Sequence, residues 1–467
     1  MRICVAYYFY FWNASENQIL KTLSSIFKRI TSLSGTGSLQ LFQLARYATF
    51  IFIGVGLVKL GLLQSEIGSF ETFLLISGMF TFFWVSGIIN SMLAVYPNKT
   101  EEERRKLLFN TFLSLAGFSV AASLLLVLLS KSALSFLHKT ESEQTILFAA
   151  VYLLLNSPSF LVEYILFLNE KKKAILYYTV FTSLLTLLIV LLPAALHLGI
   201  EYSVAGLLVI ALLKTIVLCI VLKKYSTVDF NISSILENLR LSLPLMLSIF
   251  VSGSSEYIDG IIVKSKFDNM FFAIYRYGAK ELPVLLIIAN TFSTAMIPAV
   301  AKNLQEGLVE IKTRSTQMMH LFFPLTLALM IFSPLIYRLV FSESFSYSAL
   351  IFNIYLLLII PRLLFPQTIL TGIQQPKFLL VSSVMEITIN VTVSIYLANK
   401  IGLPGVAVGT FIAYCFDKIF LILVNRFVYK IHLSSYVRLL PFVGYSILTL
   451  LVFGFSYVLM LKGVWAN

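Results

Sequence analysis

The sequence predicts an all-α polytopic membrane protein, with about 13 transmembrane helices, because runs of roughly 20 mostly apolar residues recur along it. Of the 467 residues, 58% are hydrophobic and only 12% are charged, and the mean hydropathy is +0.90. A soluble globular chain is about 25% charged, so this composition excludes a soluble protein. Backbone groups inside lipid must be hydrogen-bonded within their own segment, which makes helix the expected state of every run.

The apolar runs follow one another from residue 39 almost to the end of the chain. Their approximate limits are 39–61, 70–95, 107–130, 144–168, 174–197, 203–223, 241–264, 270–301, 316–340, 347–371, 378–399, 404–428 and 437–461. The connectors between them are short, so we expect no separate soluble domain.

Lysine and arginine residues in the connectors predict the orientation of the chain. They concentrate in every second connector, for example NKTEEERRK (98–106), NEKKK (169–173) and KNLQEGLVEIKTR (302–314). Because Lys and Arg accumulate on the cytoplasmic side of a membrane, the N-terminus is predicted to be cytoplasmic. An odd number of spans places the C-terminus outside, and one missed or false helix would reverse that side.

The first 38 residues are predicted to form a cytoplasmic segment. Residues 19–33, ILKTLSSIFKRITSL, place apolar side chains on one helical face and Lys21 and Lys28 on the other. This pattern is typical of a basic amphipathic helix on the inner leaflet. The apolar stretch MRICVAYYFYFWN before it is too short to span and lacks a signal-peptide cleavage site. Whether residues 1–17 belong to the native start stays open.

Six cationic side chains fall inside predicted spans from both halves of the chain. They are Arg46, Lys214, Arg276, Lys280, Arg362 and Lys418. A charge near the centre of a bilayer is costly, so such residues usually face a protein interior or a water-filled cavity. Several cations along one buried path fit an anionic or lipid-phosphate substrate, and these six are therefore candidate substrate-binding residues.

Four acidic residues are candidates for ion coupling or charge pairing. They are Glu256, Asp259, Glu281 and Asp417. Asp417 and Lys418 are adjacent, so we expect their side chains to point in different directions about the helix. Two further carboxylates have structural explanations. Glu163 lies near an inner connector, where we expect it to be solvated or to snorkel, and Glu386 is expected to form structural hydrogen bonds.

The charges of the seventh and eighth predicted spans also allow a structural interpretation. Arg276 and Lys280 are four residues apart and so share a helix face. Glu256 and Asp259 are three residues apart and share a face of the preceding helix. The two pairs can neutralise each other in the outer half of the membrane. This interpretation is compatible with substrate binding, because a paired charge can also line a cavity.

No catalytic or metal-binding constellation is evident in the sequence. There is no HExxH, GxSxG or P-loop motif. The cysteines, Cys4, Cys219 and Cys415, have neither metal spacing nor a disulfide pattern. We therefore expect no enzymatic activity, metal or cofactor. The net charge of +13 indicates membrane topology, not nucleic-acid binding.

Several segments, in order along the chain, carry the pattern of a known family. They are YPNKTEEERRKLL (96–108), LSLPLMLSIFVSGSSEYIDGIIVKSKFD (241–268), FFAIYRYGAKELPVLL (271–286), TGIQQPKFLL (371–380) and IGLPGVAVGTFIAY (401–414). With the span count and the loop charges, they resemble the polysaccharide-exporter, or O-antigen flippase-like, branch of the multidrug/oligosaccharidyl-lipid/polysaccharide (MOP) exporter superfamily. The resemblance extends from about residue 39 to residue 428.

The resemblance implies two six-helix lobes that face each other around a central cavity. The lobes would be residues 39–223 and 241–428, joined by a cytoplasmic linker at 224–240. Residues 429–467 would add an extra transmembrane helix and a tail. This thirteenth span departs from the twelve-helix core of the family, and it resembles the lipid II flippase branch only in adding to that core.

The resemblance also implies a function, namely flipping or export of a lipid-linked oligosaccharide across the bacterial inner membrane for surface polysaccharide assembly. In such flippases a cationic cavity accommodates the diphosphate and the glycan of a polyprenyl-linked unit. Of the candidate residues, Arg276, Lys280 and Asp259 also lie within the family-like motifs. The expected partners are membrane lipid, the polyprenyl-diphosphate-linked glycan and polysaccharide-assembly membrane proteins.

Three other functions stay open from the sequence. A cation-coupled drug or small-solute antiporter of the same superfamily should favour acidic and aromatic cavity groups, and the six cations argue against it. A structural or assembly protein should pair off all of its intramembrane charges and keep no cavity. An integral-membrane transferase should carry acidic loop motifs for a metal and a sugar phosphate, and none is evident.

Overall fold

The computed structural model describes residues 35–130, 143–280 and 283–461, and this part of the chain is helical and contains no strand. Eleven helices within it are long and apolar enough to cross a membrane, or twelve if one bent pair forms a single span. The predicted all-α membrane fold is confirmed, with a span count close to the predicted one. The amphipathic helix predicted at 19–33 lies outside the described residues.

The described residues before position 226 form eight α-helices. These are α1 (Gly35–Lys59), α2 (Gln64–Met79), α3 (Phe82–Val95), α4 (Glu101–Leu128), α5 (Glu143–Ser159), α6 (Leu161–Leu168), α7 (Lys172–Ala195) and α8 (Ile200–Tyr225). A 3₁₀ turn, Tyr96–Asn98, follows α3. The sequence TEEE starts α4 because Thr100 and Glu103 each accept a hydrogen bond from the other's backbone N–H, which satisfies donors that a helix start leaves open.

Eleven further α-helices follow in the described residues. These are α9 (Ile232–Lys266), α10 (Asn269–Gly278), α11 (Pro283–Lys302), α12 (Leu304–Val340), α13 (Ser346–Leu356), α14 (Ile359–Arg362), α15 (Pro366–Gly372), α16 (Lys377–Ile401), α17 (Leu403–Phe427), α18 (Leu433–Tyr436) and α19 (Leu439–Leu461). A 3₁₀ turn, Glu343–Phe345, precedes α13.

Four of the predicted spans are divided, and the fourth is divided between α5 and α6 at Phe160. The second bends by 43° between α2 and α3. The eighth is divided between α10, which ends at Gly278, and α11, which begins at Pro283. The tenth is divided into α13, α14 and α15, with Pro361 and Pro366 near the breaks. Proline supplies no backbone N–H and disfavours helix in the residue before it, which explains the last two interruptions.

The helices form two groups along the chain. In the first group α1 packs on α7, while α8 packs on α5 and α7. In the second group α16 packs on α17, and α11 packs on α12 and α15. The two groups meet where α2 packs on α10 and where α3 packs on α9. The broken second span therefore touches the second group along both of its parts.

At one end of the bundle, polar contacts hold the two groups together. We name it the outer end, after the predicted orientation, and the opposite end the inner end. The Asn269 amide donates to the Ser69 hydroxyl at 2.7 Å, and Lys59 Nζ donates to the Leu339 carbonyl at 2.8 Å. Gly68 lies directly against the Asn269 backbone, where a Cβ atom would overlap it. Only glycine allows this approach of α2 to α10.

Contacts between α3 and α9 join the two groups deeper in the bundle and at its inner end. The rings of Phe82 and Tyr257 stack with their centres 4.6 Å apart. Nearer the inner end, the buried Ser91 hydroxyl donates to Asn238 Oδ1 at 2.8 Å. The two groups of helices are thus in contact at both ends of the bundle.

The last helix, α19, is attached through buried polar side chains. Asn353 of α13 accepts a hydrogen bond from the Ser333 hydroxyl at 2.7 Å and donates to the Met330 carbonyl at 3.1 Å. Its amide also donates to the Ser456 hydroxyl of α19 at 3.0 Å. One amide therefore joins α12, α13 and α19, and it explains how a helix with a largely exposed apolar surface keeps a fixed position.

Replacing Asn353 by alanine should loosen α19. The change removes three hydrogen bonds and leaves the buried Ser333 and Ser456 hydroxyls with fewer partners, which we expect to cost about 1–2 kcal/mol in a membrane protein. The measurement is the thermal unfolding midpoint in detergent. Thr388→Ala is the control, because the exposed Thr388 hydroxyl bonds to the Val384 carbonyl of its own helix. Equal midpoints for the two variants would contradict the attachment.

Replacing Gly68 by alanine should part the outer ends of α2 and α10. A Cβ atom would overlap the Asn269 carbonyl, and overpacking typically costs about 1–3 kcal/mol. In a background without the native cysteines, a thiol introduced by Ser69→Cys should then react faster with a water-soluble maleimide. Gly117→Ala is the matched control, because its Cβ would meet nothing within 4 Å. A rate unchanged by Gly68→Ala would show that the close approach does not hold this end shut.

Candidate functional site

A cavity with both polar and apolar lining lies within the first group of helices, between α1, α5, α7 and α8. About 400 Å³ of space lies between its lining atoms when the space open to solvent is counted, so the cavity proper is smaller. Two of the predicted cations, Arg46 and Lys214, line it together with hydroxyl side chains. These are Thr49, Tyr152, Thr182, Ser183 and Thr186. A cavity with this lining inside an apolar helix bundle is suited to a polar ligand, because apolar ligands need no cations there.

The threonine hydroxyls of the cavity complement the cations. Those of Thr49, Thr182 and Thr186 donate to carbonyls of their own helices, at 2.7, 2.6 and 2.6 Å respectively. Their oxygens therefore present lone pairs to the cavity. The cations can donate to an anion while the hydroxyl oxygens accept from neutral hydroxyl groups, so the lining offers partners to both halves of a sugar phosphate.

A buried carboxylate balances part of the positive charge. Glu163 of α6 is only 3% exposed and interacts electrostatically with both Arg46 and Lys214. The prediction that Glu163 is solvated or snorkels is wrong, because α6 turns it towards these cations. The Arg46 guanidinium also lies over the Phe160 ring, 4.8 Å from its centre. Two cations and one carboxylate make the group cationic when all three are ionised.

A second group of charges lies between α14, α15 and α17. Arg362 and Lys418 approach the Tyr414 ring, 4.7 and 4.9 Å from its centre. Lys418 Nζ lies 3.0 Å from Asp417 Oδ2 and donates to Gln367 Oε1 at 3.3 Å. Both members of the Asp417–Lys418 pair are buried. Their side chains do not diverge as expected, because the long lysine stem folds back towards its neighbour.

Glu386 of α16 belongs to the same group. It interacts electrostatically with Asp417, Lys418 and Arg362. Two cations therefore face two carboxylates in the second half of the chain. This group is more nearly neutral than the group around Arg46, so the first-half cavity has the larger excess of positive charge.

A third group lies at the outer end, where the two groups of helices meet. Arg276 Nε of α10 lies 3.3 Å from Glu71 Oε2 of α2. Glu71 is not among the predicted residues, because the predicted span begins at residue 70 and places Glu71 at its edge. The helix in fact begins at Gln64, so Glu71 lies two turns inside it. An earlier helix start, marked by Glu66 accepting from the Leu63 N–H, is the signal that identifies it.

Lys280 does not share a helix face with Arg276, contrary to the prediction. The helix α10 ends at Gly278, and Lys280 follows it in the interruption before Pro283. Its ammonium group lies 5.0 Å from the centre of the Tyr277 ring. The four-residue spacing does not place the two cations on one face, because the helical periodicity stops between them.

Asp259 is held by hydroxyl groups. Its Oδ2 accepts hydrogen bonds from the Tyr355 hydroxyl at 2.8 Å and the Thr410 hydroxyl at 2.6 Å. The Tyr275 hydroxyl continues this network to Tyr355 at 2.9 Å. The side chain of Glu256 and the whole of Glu281 lie outside the described residues. Pairing of the outer cations with Glu256 therefore stays a prediction.

Comparison with known proteins gives the family and the fold. The family described as "Polysaccharide biosynthesis protein" matches residues 62–350. No curated protein matches the chain. Among solved structures, the lipid II flippase MurJ in an inward closed conformation is 18% identical, with a TM-score of 0.66 over 90% of this chain and 92% of that chain.

Multidrug transporters share the same architecture. An inward-facing multidrug resistance MATE family transporter of the MOP superfamily is 14% identical, with a TM-score of 0.57 over 82% of this chain and 94% of that chain. The Vibrio cholerae MATE transporter VcmN, as a mutant, is 15% identical, with a TM-score of 0.55 over 87% and 98%. These likenesses show a shared fold. The match over residues 62–350, which is more than half of the chain, shows that the chain belongs to the polysaccharide biosynthesis protein family.

Proposed function

We propose that this multi-pass membrane protein is a flippase that carries a polyprenyl-diphosphate-linked oligosaccharide from the inner to the outer leaflet for surface polysaccharide assembly. The observation that carries the proposal is the cavity lined by Arg46, Lys214 and hydroxyl side chains. The family, the MurJ-like fold and this cavity support a transporter of a lipid-linked substrate. The protein acts without catalysis, in the inner membrane, with a cytoplasmic N-terminus.

The charges of the cavity suit a diphosphate. Arginine presents a planar fork of donors that matches two phosphate oxygens, and lysine supplies a compact positive charge. Glu163 keeps Arg46 and Lys214 close together by offsetting part of their repulsion. A diphosphate entering the cavity meets cations that are already desolvated and held in place, which lowers the cost of its own dehydration.

The glycan and the lipid tail have different requirements. The acceptor oxygens of Thr49, Thr182 and Thr186 bind sugar hydroxyls near the phosphate-binding cations. The polyprenyl tail is apolar and stays in the bilayer between the lobes while the head group crosses the protein interior. The head group then interacts with the remaining candidate cations, which lie in the second half of the chain. They are Arg276, Lys280, Arg362 and Lys418.

The broken spans support alternating access. We assign lobes to residues 39–223 and 241–428, with 224–240 as the linker. The second span and the eighth span are then the second helices of the two lobes, and both are interrupted. Interrupted spans at corresponding positions of two repeats are typical of transport sites. Rocking of the lobes would open the inner and outer ends in turn.

A cation-coupled antiporter is the second candidate function, and Asp259 favours it. This buried carboxylate is held by Tyr355 and Thr410 hydroxyls, an arrangement that can bind a proton or a cation in exchange for a solute. Asp259 fits the flippase as well, since it can couple head-group transport to an ion gradient. The two functions therefore differ in the substrate, not in the need for Asp259.

Deletion of the gene tests the two functions. A flippase predicts loss of surface glycan, with lipid-linked repeat units accumulating on the cytoplasmic leaflet. The physical reason is that a charged, hydrated head group does not cross the hydrocarbon unaided. The measurements are surface glycan staining and leaflet-specific labelling of the lipid-linked units. Unchanged surface glycan together with altered dye resistance would contradict the flippase function and favour the antiporter.

Arg46→Ala and Lys214→Ala should each impair export. Loss of one charge-assisted contact to phosphate costs about 1.5–3 kcal/mol, so we expect substrate affinity to fall about tenfold or more. Arg46→Lys should recover part of the export, because it keeps the charge and loses the fork. Glycan export is measured at matched membrane levels. The control is Lys223→Ala, since Lys223 is an exposed cation at the inner end, and export equal to that of this control would contradict the cavity's role.

A further inference from the structure

The outer end contains an ion pair that joins the two groups of helices. Arg276 Nε lies 3.3 Å from Glu71 Oε2, and the two side chains are 23% and 8% exposed. Glu71 belongs to α2 and Arg276 to α10. Of the six predicted cations, Arg276 is thus the one whose described carboxylate partner comes from the opposite half of the chain. This position connects a proposed substrate-binding cation with the closure of the outer end.

The ion pair lies within the contacts that hold the outer end closed. Two residues nearer the start of α2, Ser69 accepts a hydrogen bond from the Asn269 amide at 2.7 Å, and Gly68 lies against the Asn269 backbone. Asn269 also accepts from the buried Lys264 Nζ. Parting α2 from α10 therefore separates Glu71 from Arg276 as part of the same movement.

Separating a largely buried ion pair is unfavourable, because each charge loses its partner before it regains water. Exchanging one anion for another at the same cation is far less costly, since the guanidinium keeps a negative partner throughout. An anionic group at Arg276 is therefore the chemistry that releases Glu71 at low cost. Neutral and cationic solutes do not provide it.

We infer that Glu71 is the resident counter-anion of Arg276 and the latch of the outer end. A phosphate group replaces Glu71 as the ion-pair partner of Arg276, and α2 and α10 then separate. The inference rests on the proposed function for the identity of the anion, and it adds a specificity-determining residue outside the cation-lined cavity. The phosphate belongs either to a polyprenyl diphosphate in the bilayer or to a soluble phosphate compound.

The latch explains why opening of the outer end would require a bound substrate. Without an anion, Glu71 holds Arg276 and the outer end stays shut. With an anion, the exchange at Arg276 both binds the head group and removes a contact that opposes opening. The interaction with Arg276 therefore contributes to both binding and opening. A ligand shifts the equilibrium between the closed and open states only if it binds one of them more tightly than the other.

Cross-linking across the outer end tests the latch directly. Gln64 of α2 donates to the Ser344 carbonyl at 2.5 Å, so these positions report closure without touching the ion pair. The full chain, without native cysteines and with Gln64→Cys and Ser344→Cys, is placed in lipid nanodiscs. A short bifunctional thiol reagent then measures the closed fraction, with and without inorganic pyrophosphate or polyprenyl diphosphate as the probe.

The expected result has two parts. A phosphate probe should lower cross-linking when Glu71 is present. Glu71→Gln should lower it without any probe, with the ratio of closed to open protein falling about tenfold, as a change of roughly 1.4 kcal/mol produces, and the probes should have little further effect. Glu71→Asp should keep the response of the parent. The matched control is Glu343→Gln, which removes an outer-end ion pair, Glu343–Arg338, within the second half of the chain.

Other results would overturn the latch. Cross-linking in Glu71→Gln equal to that in Glu343→Gln would show that Glu71 does not hold the end closed. Low cross-linking in Glu71→Gln, combined with parent cross-linking that neither probe changes, would show that Glu71 has a fixed structural role. That combination would reject the exchange of anions at Arg276. If Glu71→Gln does not reach the membrane, Glu71→Asp and the response of the parent to the probes still decide the question.

The two probes separate the latch from the proposed function. A response to polyprenyl diphosphate, with or without a response to pyrophosphate, supports both. A response to pyrophosphate alone keeps the latch and rejects a lipid-linked substrate. The cross-link needs no transport assay, so a protein that exports no glycan can still show a working latch.

Discussion

The cost of placing charge in an apolar medium is the constraint on which this structure depends. Each described intramembrane candidate has a compensating neighbour. Glu163 interacts electrostatically with Arg46 and Lys214, Glu71 forms an ion pair with Arg276, and Asp417 forms an ion pair with Lys418. The first two contacts join different helices, and the third joins adjacent residues of one helix. Each of them compensates a charge that lipid cannot solvate.

The arrangement of the charges distinguishes the two halves of the chain. Around Arg46 and Lys214 the cations outnumber the described carboxylates, and a cavity is present. Around Arg362 and Lys418 the charges nearly balance, and an aromatic ring lies between the cations. The first group is therefore suited to receiving an anion from outside, whereas the nearly balanced charges of the second group should bind an anion more weakly. A path that used both would bind its substrate unequally along its length.

The fold was predictable from hydropathy because lipid permits few backbone states, and the spans followed from length and composition alone. The pairing of charges was not predictable to the same degree. Helical periodicity placed Arg276 and Lys280 on one face, but α10 ends between them at Gly278. Glu71 was missed because an error of a few residues in a helix start moves a carboxylate from the membrane edge to the interior. Such partners depend on packing between helices, which a local pattern does not encode.

The helix α9 is continuous over 35 residues, and it contacts both groups of helices. Its inner part packs on α3, and it also packs on α16 and α17 of the second group. Pro244 removes one backbone hydrogen bond from its inner part, but the helix continues through it. A continuous helix held by both groups acts as a lever between them. Displacing one end transmits a torque to the other, so the inner and outer contacts are mechanically dependent. Leakage through a doubly open channel is then opposed by the stiffness of a single helix.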